Sequence, residues 1–470
     1  MKKNELTNST PIYISSRRKF LKTAGLASTA LFTGLTAKNN ISNNLALSYL
    51  KEFCDFSELP NDFIYLNNGT EGTMPECVMS SLKTNLSKWT RNPTYSYELD
   101  RDLGKRQEYN REKVGQFLSV DKNNVCLTDN TTMGISMAIM GLNFKSTDKV
   151  VTTNQEHPSV ISPLQIWRSR QGLRLEIQSF PPPEEIRSMS QNELLDVLFP
   201  NTSALRGAKA MCVSHVYPTT GVRLPLRALR EKADELKITY LIVDGAQAIG
   251  AIDINNVNER VNNCDFYACS GHKWLNGPPS TGVLYIRNSE IQPPEFYPTL
   301  SQRMIRYTDG SSNYPIAKAL QIRGCSNTPG FTAMVRAMKF VEEEGGTTII
   351  EDYILNLSHE VKNFFLTFAP NCIISPYTDN ALTSGITTFY PFKWNQPQIP
   401  IKDKKTATWV SETLLKRNIQ IRPIGIPKTG TSYGSSEKSY ALRVSTGYFN
   451  SINDIELFKS SLKDVLKKIN

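Results

Sequence analysis

Two short stretches of this 470-residue chain gather side chains that could do chemistry together. The first is the apolar run Leu241-Ile242-Val243, which ends in Asp244-Gly245-Ala246-Gln247; the second is Phe266-Tyr267-Ala268-Cys269, which ends in Ser270-Gly271-His272-Lys273-Trp274. Each reads as a β-strand that turns polar at its last residues. In open α/β sheets ligands bind beyond the carboxyl ends of the strands, so Asp244, Gln247, Ser270, His272 and Lys273 are expected at one rim. A lysine after a strand is usually a solvated surface residue, but in an apolar pocket its amine can lose its proton and attack an aldehyde. Asp244 could simply cap a turn; if buried it needs a partner, and a protonated ring nitrogen would serve. A lysine, an acid and small phosphate-friendly residues at one rim suit pyridoxal phosphate, which takes a lysine for its Schiff base and an acid for its pyridine nitrogen.

Further candidates lie elsewhere. Asp129-Asn130-Thr131-Thr132-Met133-Gly134 follows a strand-like run and opens a helix, where backbone N–H groups can bind phosphate; an ordinary capped helix is the plainer alternative. His157 sits in Gln155-Glu156-His157-Pro158, just after another strand-like run. Arg422 and Arg443 carry guanidinium forks suited to carboxylates, although most arginines are simply exposed.

The stretches Ser270–Lys273, Asp244–Gln247 and Glu156–Pro158, in this order and spacing, resemble class V pyridoxal-phosphate-dependent transferases of fold type I. The similar branch holds isopenicillin-N-epimerase-like and cysteine-desulfurase-like enzymes, and the resemblance spans roughly residues 60–465. It implies roles residue by residue. Lys273 carries the cofactor and shuttles a proton, Asp244 pairs with the ring nitrogen, His157 stacks on the ring, and Gln247 donates to the phenolic oxygen. Thr131 and Thr132 match the phosphate-binding turn, with Ser270 and His272 as further phosphate ligands. A threonine that reaches the phosphate from a second subunit is replaced here: the stretch reads Gly324-Cys325-Ser326-Asn327, and a thiol is a weak donor. Either Cys325 holds that place or Ser326 supplies the contact, and the active unit is then a homodimer. Arg422 matches the arginine that grips the substrate carboxylate, with Arg443 as a second candidate; Asn68 and Gly69 line the substrate side. His215 and Tyr217 line the pocket beside Pro218, where desulfurases carry an asparagine. The loop 423–441 holds no cysteine, so a persulfide mechanism lacks its nucleophile there.

These residues need a scaffold, and the hydrophobic pattern supplies one. Strand-like runs near 125–128, 149–153, 173–180, 209–214, 239–244, 265–270 and 282–287 alternate with helical stretches within 76–118 and at 132–142, 158–170, 191–199 and 226–237. Such alternation argues for an α/β fold with a mostly parallel sheet covered on both faces. The resemblance implies a seven-stranded sheet in a large domain (61–330) and a smaller C-terminal α+β domain (331–470), on which the N-terminal segment packs.

Composition is that of a globular protein, 39% apolar and 21% charged. The net charge is +10, and half of it comes from residues 1–37, so a nucleic-acid partner is not expected. The eight cysteines form no CxxC pair and the four histidines no zinc spacing, which argues against a disulfide framework and a metal site. Residues 16–22, Ser-Arg-Arg-Lys-Phe-Leu-Lys, followed by the apolar Thr23–Ala37, resemble a twin-arginine signal. That implies a partner in the twin-arginine translocation machinery, export of the folded protein to the periplasm and cleavage near residue 37, or membrane tethering by an uncleaved leader. Residues 38–60 read as a spacer.

The motifs fix the cofactor rather than the bond that breaks. The expectation is an exported class V aminotransferase-like enzyme acting through Lys273 on the amino group of an amino acid or a peptide-derived metabolite, with an amino or keto small molecule as substrate. Signal and fold together are similar to a periplasmic tailoring enzyme of the pyoverdine pathway. An epimerase or racemase and a carbon–sulfur lyase are the alternatives. A non-catalytic binding protein of this fold is the alternative of another class; the joint presence of Lys273, Asp244, His157 and Gln247 speaks against it.

Overall fold

The computed structural model describes residue 56 and residues 58–93, 104–299, 314–428 and 437–469; the leader (1–37) and most of the spacer (38–60) lie outside them. In chain order the elements are β1 (Ile64–Tyr65), α1 (Glu76–Arg91), α2 (Gly104–Leu118), β2 (Val125–Thr128), α3 (Thr131–Gly141), β3 (Lys149–Thr153), α4 (Pro158–Gln171), β4 (Arg174–Gln178), α5 (Gln191–Leu198), β5 (Ala210–Ser214), α6 (Leu226–Glu235), β6 (Tyr240–Asp244), β7 (Phe266–Ser270) and β8 (Gly282–Ile286). There follow α7 (Ile316–Gln321), α8 (Thr328–Glu343), α9 (Gly346–Phe368), β9 (Ile386–Phe389), β10 (Phe392–Lys393), β11 (Gln396–Pro400), α10 (Lys404–Leu415), β12 (Ile419–Gln420), β13 (Arg422–Pro427), β14 (Lys438–Ser445) and α11 (Ile452–Leu466).

Seven strands form one sheet in the order β2-β8-β7-β6-β5-β3-β4. The neighbours β7-β6-β5-β3-β4 run parallel, and β8 lies antiparallel between β7 and β2. Strands β5, β7 and β8 are buried at every position, which explains their near-continuous apolar runs. The core fills the space between sheet and helices: Ile135, Ala138 and Ile139 of α3 and Val160 and Leu164 of α4 pack with Cys126, Val150, Cys212, Ile242, Phe266 and Leu284 of the sheet. Gly134 permits close approach, since a Cβ there would stand 2.8 Å from Ala268 Cβ.

The C-terminal part builds a three-stranded antiparallel sheet, β13-β14-β9, beside the β10–β11 hairpin. The first described strand joins the C-terminal part where β1 pairs in parallel with β12, Ile64 against Ile419. The sequence reading assigns nothing to α9, a helix of 23 residues. Its start is masked by Gly345 and Gly346, whose φ values of 106° and 87° make the turn out of α8, and by the β-branched Thr347-Thr348-Ile349-Ile350.

Candidate active site

The site is assembled from strand ends. Ladder pairing sets Asp244 of β6 beside Ala268 of β7, and Gly282 of β8 between Ser270 and Thr128. Gly282 is also where α3 begins to pack, because a Cβ on it would stand 2.9 Å from Asn130 Cα. The first turn of α3 and the end of β7 therefore meet at one corner. Asn130 caps that helix by accepting from Met133 N–H at 2.9 Å.

Asp244 is 5% exposed. Its Oδ1 accepts from Ala246 N–H at 2.9 Å and its Oδ2 from Ser159 Oγ at 3.2 Å. Ser159 also stands 2.8 Å from His157 Nδ1, so one hydroxyl links the ring to the carboxylate. His157 caps α4, with Pro158 at the first helical position. Desolvation lowers the His157 pKa against the pull of Asp244, and the charges of Lys273 and Arg422 lower it further.

Lys273 follows the β7 end on a turn closed by Asn276 N–H to Lys273 O at 3.0 Å. Gly72 lies directly against this turn: its N–H donates to His272 O at 2.7 Å, and a Cβ on it would stand 2.1 Å from Lys273 O. Burial pushes the Lys273 amine down to about 8; Arg443 and Arg422 push the same way, and Asp244 opposes. An amine that is partly unprotonated near neutral pH is a competent nucleophile.

Gln247 is clamped. Trp274 Nε1–H donates to its Oε1 at 2.8 Å, and its Nε2 donates to Gly69 O at 2.9 Å. An indole only donates, which fixes the amide's orientation and leaves one Nε2 hydrogen for the expected phenolic oxygen.

Several buried polar atoms at this rim have no partner: Thr131 Oγ1, Ser270 Oγ, His272 Nδ1 and both amide atoms of Asn68. Buried polar groups are ordinarily hydrogen-bonded, and donors gathered where α3 begins fit a phosphate. The same rim offers a lysine with a lowered pKa and a carboxylate. The donor set therefore fits pyridoxal phosphate: Thr131, Ser270 and His272 could hold its phosphate, Asp244 could pair with its ring nitrogen, and His157 and Lys273 would serve its ring and its aldehyde. When bound, that group acts as an electron sink for the carbon bearing the substrate's amine. Thr132 is exposed on the same turn. Cys325 is exposed and Ser326 half-buried on the turn before α8.

The two candidate arginines differ in enclosure. Arg443, the weaker candidate by sequence, is 3% exposed, and its partners are neutral: Pro218 O at 3.1 Å, Asn67 Oδ1 at 3.2 Å and Thr70 Oγ1 at 2.7 Å. Its Nε has none. Burial lowers its pKa to about 9, with Arg422 adding to the shift. Arg422 is exposed and donates to Thr70 Oγ1 at 2.8 Å. Gly69 lies close by, since a Cβ on it would stand 3.4 Å from Arg443 Cζ.

Sequence reasoning missed Thr70, Ser159 and Trp274. Ser159 had a signal, two residues beyond His157 at a helix start. Thr70 and Trp274 act through contacts that only the fold creates. Conversely, His215 and Tyr217 present no free polar atom to a pocket. His215 is fully buried between Glu259 at 2.8 Å and Tyr267 at 3.0 Å. Tyr217 donates to Glu156 at 2.9 Å, and burial pushes the Glu156 carboxyl up to about 7 despite bonds from Ser214 and Thr153. Among the described residues no group of three or more His, Cys, Asp or Glu could hold a metal ion.

Known proteins share this framework. A probable cysteine desulfurase of Pyrococcus abyssi is 29% identical over 231 residues, 48% of this chain and 54% of the relative. An isopenicillin N epimerase of Streptomyces clavuligerus is 29% identical over 192 residues, 39% and 45% of the two chains. Such matches span about half the length of these relatives. The apo cysteine desulfurase of Thermococcus onnurineus superposes with a TM-score of 0.67 at 22% identity, covering 87% of this chain and 96% of that one. A C-DES mutant with glycine covalently linked to its pyridoxal-phosphate cofactor superposes at 0.69 and 20% identity, covering 87% and 98%. Residues 64–458 match the family model for aminotransferase class-V. The chain belongs to this family of pyridoxal-phosphate enzymes.

Proposed function

We propose that this protein is an exported, aminotransferase-like enzyme that acts on the amino group next to a carboxylate in an amino acid or peptide-derived metabolite. The observation that carries the reading is the convergence of the unpartnered Thr131, Ser270 and His272 with Lys273 and Asp244 at one sheet rim. Arg443 holds the substrate carboxylate, and Lys273 moves the proton to and from the amine-bearing carbon. Thr70 and Asn67 hold Arg443 in place. The active unit is a homodimer in which Cys325 or Ser326 of the partner subunit completes the phosphate site. The twin-arginine-like leader at 16–22 supports export to the periplasm with the cofactor already bound.

Single-base chemistry at Lys273 is favoured over two-base epimerisation. His215 and Tyr217, which could otherwise serve from another side, are committed to Glu259, Tyr267 and Glu156. A desulfurase mechanism is disfavoured. The loop 423–441 has no cysteine, burial pushes the thiols of Cys126, Cys212, Cys264, Cys269 and Cys372 up and away from thiolate, and the exposed Cys325 is assigned to the phosphate end of the site rather than to the substrate. A carbon–sulfur lyase is the second reading, since the C-DES neighbour is also described as a cystine C–S lyase.

The test is a visible spectrum of the purified protein with a panel of amino and keto acids. Conversion of the cofactor to its pyridoxamine form supports transamination. Deuterium exchange at Cα without that conversion supports epimerisation, and release of ammonia supports lysis. Absence of a cofactor band, or a band unchanged by K273A, contradicts the reading.

A further inference from the structure

Arg422 and Arg443 are ladder partners across β13 and β14, and both donate to one oxygen, Thr70 Oγ1, at 2.8 and 2.7 Å. Among the described residues neither forms an ion pair with a carboxylate. Asp244 is committed to Ala246 and Ser159. Glu71, exposed and near enough to act on Lys273, bonds to neither guanidinium. Two like charges gathered on one neutral oxygen, one of them almost fully buried, are unfavourable until an anion arrives.

One carboxylate does not use what is on offer. Each arginine has five N–H donors. Arg443 donates three of its five N–H groups to Pro218, Asn67 and Thr70, which leaves one on Nη1 and the buried, unpartnered Nε–H for an anion. Arg422 donates from a single nitrogen to Thr70, and among the described residues the rest of its exposed fork has no partner. A carboxylate on Arg443 neutralises the buried charge and leaves the open fork of Arg422 without an anion.

The geometry points to a substrate with two carboxylates: one on the amino-bearing carbon, taken by Arg443, and a second farther along the molecule, taken by Arg422. The inference rests on the reading of Arg443 as the carboxylate grip and names the substrate class for that site. Arg422 is then a specificity residue, and Thr70 sets the spacing between the two forks.

The experiment is calorimetric titration of the pyridoxal-phosphate-loaded full chain with succinate, glutarate and adipate, each against its own monoamide. These acids lack an amine, so binding is read without turnover. At least one diacid is expected to bind about tenfold or more tightly than its monoamide, and R422Q should remove that advantage. Equal binding of diacid and monoamide for all three lengths overturns the inference. So does R422Q weakening both members of a pair alike, because Arg422 would then hold the carboxylate they share. Failure of the cofactor reading shows separately, as the absence of a Lys273-dependent absorption band in the same preparation, and leaves the diacid comparison standing.

Discussion

Lys273 and Lys362 are both dehydrated by folding, and burial is the largest influence on each, lowering the amine to about 8 in the first and about 7 in the second. Their surroundings differ. Lys362, on α9, is 1% exposed, its Nζ has no partner, and desolvation is the sole cause of its shift. The Lys273 amine answers also to Asp244, Arg443, Arg422 and Glu71, in a corner where other buried polar atoms lack partners. A depressed lysine pKa therefore records the cost of burial and does not identify a site. What identifies one is convergence: charges of both signs, unpartnered donors and strand ends meeting around the amine.

Replacing each lysine by methionine should separate the two. K273M is expected to lower turnover by about 10³-fold or more, since it removes both the cofactor's amine partner and the proton carrier. K362M should leave turnover intact. Residual activity of K273M within tenfold of the wild type would place the chemistry elsewhere. On the substrate side, R443K should raise KM by roughly 30-fold or more, because a point charge cannot reproduce a fork held on three acceptors. A KM unchanged by R443K would return the grip to Arg422.

The core lysine carries the stability prediction. Its folded pKa lies below its unfolded one, so between about pH 7 and 10 the unfolded chain holds a proton that the folded chain has lost. Stability tied to Lys362 is therefore lowest below pH 7 and rises with pH through that window. K362M should stabilise the protein by about 2–4 kcal/mol at pH 7 in urea unfolding. The gap between variant and wild type should shrink by about 1.4 kcal/mol per pH unit as pH rises from 7 toward 9. A destabilised K362M would mean that the amine has a role in its core. The smallest effect expected is for S159A, a three- to tenfold loss of turnover, about 1 kcal/mol, from uncoupling His157 and Asp244. No change would show that Ser159 serves only the start of α4.

Asp244 and Lys273 were legible in the sequence because β6 and β7 are written as apolar runs that stop in polar residues, so strand, rim and chemistry share one stretch of chain. The start of α3 was legible through its Asn130 cap. Thr70 was not, because its role depends on a contact with Arg443, 373 residues away in sequence. The relative weight of Arg422 and Arg443 was hidden for a related reason. Both precede or follow alternating strand residues, and only the pairing of β13 with β14 and β9 shows which guanidinium is enclosed. Trp274 reads as a core residue, and only the fold turns its N–H onto Gln247. Helix α9 was lost behind two glycines and a β-branched start, and Lys362 with it.

The central claim is that Lys273, and not another dehydrated lysine, holds the cofactor. Borohydride reduction of the pyridoxal-phosphate-loaded protein, followed by digestion and peptide mass spectrometry, tests it directly, because reduction fixes the cofactor to whichever amine carries it. The account predicts the label on the peptide containing Lys273 and on no other; label on Lys362, or on neither lysine, would contradict it.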